Sequence, residues 1–162
     1  HDKAAHTAKL ALMNGDVAGA RAALNTVDAA GAKTAYYHKM DGAVSMGEGD
    51  FARAETAFTR AVGFREAGLD THRDLIKAQV YQGKFDAALA SVDRAAATFG
   101  TQTLLVDRLQ IMVAQGRIDE ARELASVQCA ALPDEKAQKN CLATVPEPEG
   151  EKKGGFGLGD IL

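Results

Sequence analysis

Apolar residues recur along this chain with helical spacing, and the whole pattern repeats with a period of about 34 residues. Each repeat contains a glycine, and an apolar residue follows it by two positions, an alanine by five and a further apolar residue by nine. These offsets lie on one face of a helix. The pattern predicts an amphipathic helix after each of the four glycines, Gly15, Gly49, Gly83 and Gly116.

A second helical stretch precedes each glycine. Its predicted bounds are Lys3–Met13, Thr34–Met46, Thr71–Tyr81 and Thr103–Ala114. Units of this size cannot bury an apolar face alone, so the helix pairs are expected to stack on one another.

Several residues have the identity and position of helix-end signals. Asp16 and Asp50 directly follow their glycines and are expected to cap the next helix, and Thr71 and Asp74 have the spacing of a capping box. Between the repeats, glycines at three positions are expected to end helices in a left-handed conformation: Gly31, Gly68 and Gly100. Pro133 and Asp134 predict a last helix, Glu135–Leu142, which would close the open end of the stack.

The repeat resembles the tetratricopeptide repeat family, whose signature combines a glycine at the turn with small and aromatic packing residues. The second repeat matches best, with Gly42, Gly49, Ala54, Phe58 and Ala61. Fewer signature residues remain in the other three repeats: Ala8, Gly15 and Ala20 in the first, Leu75, Gly83, Ala88 and Ala95 in the third, and Gly116, Ala121 and Pro133 in the fourth.

The resemblance covers about residues 1–133. It implies an all-α, right-handed α-solenoid of four helical hairpins with a C-terminal capping helix and an extended tail. We therefore assign residues 1–144 to a helical repeat domain and residues 145–162 to a flexible or partner-docking tail.

The resemblance also implies a concave groove, lined by the first helix of each pair, that binds a peptide or partner segment. Spacing places eight candidate residues there: Lys9, Tyr36, Lys39, Met46, Arg73, Lys77, Tyr81 and Gln110. A cationic groove with aromatic walls suits an acidic peptide. The alternative is that these charges are simply solvated on exposed helix faces.

The tail ends in a glycine-spaced apolar segment that contains Phe156, Leu158, Ile161 and Leu162. The hypothesis is that this segment docks into the groove of its own chain or of a neighbour, which would allow self-association. The alternative is an untethered terminus.

Two cysteines, Cys129 and Cys141, lie close in sequence. They are expected either to form a disulfide or to remain two unpaired buried side chains. A disulfide, together with a chain that begins at His1, favours a periplasmic or secreted location, with a cytoplasmic one as the alternative.

Composition and motifs narrow the function further. The net charge of −3 gives no reason to expect nucleic acid, and no apolar run approaches the roughly 18 residues that span a membrane. We find no catalytic, metal-binding or cofactor-binding pattern. His38 and His72, at equivalent repeat positions, are expected to pack rather than bind metal. The expected function is a non-catalytic adaptor or assembly factor, with a structural subunit held through its tail and edges as the alternative.

Overall fold

A computed structural model describes residues 2–148. Within this range the chain is all-helical and has no strand, as predicted. The helices are α1 (Asp2–Met13), α2 (Val17–Leu24), α3 (Ala35–Glu48), α4 (Phe51–Val62), α5 (Leu69–Tyr81), α6 (Phe85–Phe99), α7 (Leu105–Ala114), α8 (Ile118–Gln128) and α9 (Glu135–Leu142), with a short 3-10 helix at Gly31–Lys33.

The repeated glycines end the first helix of each pair. Their φ angles are +77°, +74°, +70° and +79°, in the left-handed region that favours glycine. In each turn the amide after the glycine donates to a carbonyl five residues earlier, at 2.9 to 3.0 Å. This bond satisfies a carbonyl that the end of the helix leaves without a partner.

Side-chain caps explain where four of the described helices begin, and at α3 the hydroxyl of Thr34 accepts from the amide of Tyr37 at 3.1 Å. The carboxylates of Asp16 and Asp50 accept from the amides of Gly19 (2.8 Å) and Arg53 (3.0 Å), which confirms their predicted role. Asp134 caps α9 in the same way, through the amide of Ala137.

The predicted capping box at Thr71 and Asp74 is wrong. Helix α5 already begins at Leu69 after Gly68, and Thr71 is buried inside the helix. Of the three glycines between the repeats, Gly100 alone has a positive φ, +98°.

Small residues let the paired helices approach closely. The alanine column, Ala20, Ala54, Ala88 and Ala121, is fully buried. At Gly42 of α3, a Cβ atom would lie 2.6 Å from the ring of Phe58 in α4, so only glycine fits without a shift. Each helix packs against the next along the chain, and α3 also contacts α1 and α5.

Two polar clusters join a second helix to the first helix of the next pair. In the Arg21 cluster, Arg21 of α2 donates to Asp41, Ser45 and Glu48 of α3. In the Glu55 cluster, Glu55 of α4 accepts from Gln79, Gln82 and Lys84, on α5 and just after it.

The C-terminal end of the described chain is cross-linked. Cys129, just after α8, and Cys141 of α9 form a disulfide with a Cα–Cα distance of 5.6 Å, which confirms that reading of the cysteine pair. Val145, at the start of the predicted tail, is buried in the same apolar cluster as both cysteines. Arg122 of α8 donates to the carbonyl of Pro146 at 3.1 Å.

Candidate functional site

Four of the predicted groove residues line one open pocket between α5 and α7. Arg73, Lys77 and Tyr81 come from α5, and Gln110 comes from α7. The pocket has a volume of about 390 Å³, and its other lining residues are Ile76, Val80, Asp107 and Ile111. We call it the α5–α7 pocket.

Arg73 and Asp107 bridge the two helices at one side of this pocket. The guanidinium Nε and Nη2 atoms each lie 3.0 Å from an oxygen of the Asp107 carboxylate. Nη2 also donates to the carbonyl of Thr103 at 3.0 Å. Arg73 therefore holds α5 to α7, and its charge is largely balanced inside the protein.

Lys77 differs from Arg73 because its ammonium group forms no ion pair with any residue in the described range. Its side chain is exposed, as is that of Gln110. The pocket therefore presents Lys77 and the amide of Gln110 to a ligand, beside the partly exposed guanidinium of Arg73, which Asp107 already pairs.

Tyr81 supplies an aromatic wall at the end of α5. Its side chain is 57% exposed, although its ring stacks on that of Phe51 with centroids 4.9 Å apart and an interplanar angle of 15°. The stack fixes the orientation of the ring and leaves one face open. Together with nearly buried Ile76 and Ile111, it gives the pocket an apolar floor and wall.

Tyr36 and Lys39 lie elsewhere, at a second open pocket of about 550 Å³ between the starts of α3 and α5. Here Lys39 forms an ion pair with Asp70. The hydrogen bond from Lys39 is the main reason that the pKa of Asp70 is lowered. Lys39, like Arg73, is thus matched by an acid on the next first helix.

Asp74, one turn after Asp70 on α5, is a partly buried acid near Lys39 and Lys77. Burial raises the pKa of its carboxyl group, and the nearby charges of Lys39 and Lys77 act in the opposite direction. Three acids therefore lie beside these cations: Asp70, Asp74 and Asp107.

Sequence reasoning missed these three acids. Asp107 lies 34 residues after Arg73, but the fourth glycine follows the third by only 33 residues, so the column of Lys39 and Arg73 continues at Val106 and Asp107 lies one position beyond it. Asp70 and Asp74 lie one turn from each other on the helix that carries Arg73 and Lys77. Asp70 stands in the column of Tyr36 and could have been found there, whereas Asp74 and Asp107 lie one position beyond the column of Arg73 and outside the predicted groove columns.

The remaining predicted groove residues lie apart from both pockets. Met46 is partly buried and packs against the core cluster that contains Ala54, Phe58 and Leu75. Lys9 is exposed on α1. The tail residues Phe156, Leu158, Ile161 and Leu162 lie outside the described residues, so their predicted docking stays a prediction.

The two repeat-equivalent histidines pack against aromatic rings. His38 lies with its ring centroid 6.1 Å from that of Phe64, and His72 lies 5.4 Å from Phe99. Burial is the main cause that lowers the pKa of each imidazole, and a nearby arginine adds to it: Arg60 for His38 and Arg94 for His72. Both shifts favour the neutral form of the ring.

Two further features concern residues 2–148. No group of three or more His, Cys, Asp or Glu side chains in this range is placed to hold a metal ion. None of the helices there is both long enough and apolar enough to cross a membrane.

Comparison with protein-family models and with curated proteins found no match for this chain.

Proposed function

We propose that this chain is a tetratricopeptide-like, right-handed superhelix of four helical hairpins with a capping helix, and that it acts as a non-catalytic protein-binding module. The regular repeat of the sequence, the left-handed glycine in each turn and the stacking of consecutive helices support the proposed architecture.

The α5–α7 pocket carries the functional part of the proposal. It combines an unpaired lysine, an exposed tyrosine and an apolar floor in one concave place. Lys77 would pair with a carboxylate of the partner through a charge-assisted hydrogen bond, and Ile76, Val80 and Ile111 would receive an adjacent aliphatic side chain. We therefore propose that the partner segment is a peptide in which an acidic residue lies beside an apolar one.

Because Arg73 already binds Asp107, its role in this proposal is to fix the spacing of α5 and α7. Lys77 is the cation that recognises the partner. This division separates the residue that maintains the shape of the pocket from the residue that determines its specificity.

The cross-link between Cys129 and Cys141 supports an oxidising location, periplasmic or extracellular, for this module.

Random peptides displayed on phage and selected on the purified chain test the proposed specificity. Recovered peptides should be enriched in an Asp or Glu next to Leu, Ile or Val. Lys77→Glu should weaken their binding by about tenfold or more, since it turns an attraction at close range into a repulsion.

The matched control is Lys136→Glu, which makes the same charge change on exposed α9, away from the pocket. It should leave the affinity within about twofold. Equal affinities of the wild-type chain and the Lys77→Glu variant would refute the proposal. The structural-subunit alternative would gain support if removal of residues 149–162, and not Lys77→Glu, abolished association with a partner.

A further inference from the structure

Helix α9 has few noncovalent attachments to the rest of the described chain. Of its eight residues, Cys141 alone is buried. In the described range, no side-chain hydrogen bond or ion pair joins α9 to α7 or α8. The polar bonds of α9 stay within the helix or reach its own loop, as in the bond from Gln138 to the carbonyl of Leu132.

What α9 covers is apolar. The two half-cystines, both fully buried, belong to a cluster with Leu105, Leu109 and Met112 of α7. After α9, Val145 packs on the same cluster, and Arg122 binds the carbonyl of Pro146. Even this arginine is incompletely satisfied, because its buried Nε atom has no hydrogen-bond partner.

We propose that the Cys129–Cys141 disulfide is a redox latch. In the oxidised state it holds α9 over the end of α7 and α8. In the reduced state the segment 133–148 leaves the apolar cluster as a unit, while α1 to α8 stay folded. Local opening of this kind is expected where few buried contacts hold an element.

The chemistry needs a dithiol reductant, either a small molecule or a protein. One thiolate of the reductant attacks one sulfur of the disulfide and expels the protein's second sulfur as a thiolate, which takes up a proton. The second thiol of the reductant then resolves the mixed disulfide. The protein gains two electrons and two thiols, and the reductant is oxidised to its own disulfide.

Both sulfurs are fully buried, so attack requires that α9 first move away. The rate of reduction should therefore level off at high dithiol concentration, at the rate of opening. After reduction the opening lasts longer, because the loop that the disulfide closed no longer brings α9 back to the cluster. The apolar side chains of α7 that pack against the cysteines then stay accessible to solvent.

Hydrogen exchange with mass spectrometry tests the latch on the intact chain, oxidised and after reduction by a dithiol. Amides of α9 should exchange at least about tenfold faster after reduction, and those of α3 and α4 should change by less than about twofold. The Cys129→Ser, Cys141→Ser double variant should behave like the reduced protein.

Two results would overturn the proposal. Persistent protection of α9 in protein whose mass shows two free thiols would mean that noncovalent contacts hold the helix. Loss of protection in α3 and α4 together with α9 would mean that the disulfide supports the whole fold.

A pair of variants tests the opening step separately. Val145→Ala removes part of the noncovalent cover and should raise the limiting rate of reduction several-fold. Val127→Ala removes the same atoms from a side chain that is 71% exposed, and it should leave that rate unchanged. Equal rates in the two variants would contradict the view that α9 must open first. This test needs no partner peptide, so its outcome is independent of the proposed function.

Discussion

The Arg21 cluster and the Glu55 cluster join helices at equivalent repeat positions, yet they use opposite chemistry. Arg21 and Glu55 are one repeat length apart, and so are Ser45, which Arg21 contacts, and Gln79, which Glu55 contacts. In the first cluster a cation on the second helix meets acids on the next first helix. In the next cluster an acid on the second helix meets amides and a lysine.

At the equivalent position of the third interface, between α6 and α7, apolar side chains replace the polar ones. Leu89 and Met112 stand where Arg21 and Ser45 stand in the first interface; Leu89 packs against one core cluster and Met112 is buried in another. The backbone therefore repeats while the bonds between neighbouring helices do not. We expect an exchanged helix to fit poorly, because it would bury a charge without its partner.

The largest effect is expected from Arg21→Met, which keeps an unbranched apolar chain and removes the guanidinium. Glu48 would lose both of its bonds to Arg21, at 2.7 and 2.8 Å, while Asp41 would keep its bond to Arg53. We expect a loss of about 2 kcal/mol in the free energy of unfolding, measured by urea denaturation. Arg65→Met is the control: Arg65 is exposed, and its loss should change stability by less than about 0.5 kcal/mol.

A smaller effect is expected from Glu55→Gln. The side chain keeps its size and still offers an oxygen to Gln82 (2.9 Å), but its ion pair with Lys84 (2.6 Å) is lost. We expect a loss of about 1 kcal/mol, again from urea denaturation. A loss as large as that of Arg21→Met would contradict the ranking of the two clusters.

The smallest effect concerns two sites that keep the same chemistry in both repeats. The pKa values of His38 and His72 are lowered in the folded chain, mainly by burial, so the unfolded chain takes up protons first as the pH falls. Stability should therefore decrease between about pH 7 and pH 5, by less than about 1 kcal/mol for both histidines together.

Urea denaturation at several pH values, compared with the His38→Gln, His72→Gln double variant, measures this term. The variant should have a flatter profile in that range than the wild-type chain. If the double variant keeps the full slope, other groups cause the dependence on pH.

Much of the local structure was predictable because its causes are local. The left-handed turns at Gly15, Gly49, Gly83 and Gly116 need a residue without Cβ, and the caps at Asp16 and Asp50 need a short acceptor beside free amides. The start of α5 was mispredicted because tertiary contacts extend the helix. Leu69 packs on the neighbouring apolar cluster and Asp70 binds Lys39 of α3.

Four of the eight residues proposed for the groove, Arg73, Lys77, Tyr81 and Gln110, line one pocket. Helical spacing puts the three residues of α5 on one face, whereas Gln110 joins them because α7 lies beside α5. The balance of charge depends on which side chains reach across to a neighbouring helix. Spacing within one helix contains no information on that.

The sequence by itself determined the repeat and its glycine turns, because these follow from periodicity and backbone preference. It also determined which helix precedes and which follows each glycine, and which residues are candidates for the predicted groove, because both follow from periodicity within a single element. Only the tertiary structure decided that Arg73 is bound to Asp107 while Lys77 is unpaired within the described range, and that Cys141 is the single buried residue of α9. The reason is physical. Pairing and burial depend on distances between helices, which are set when the helices pack against each other.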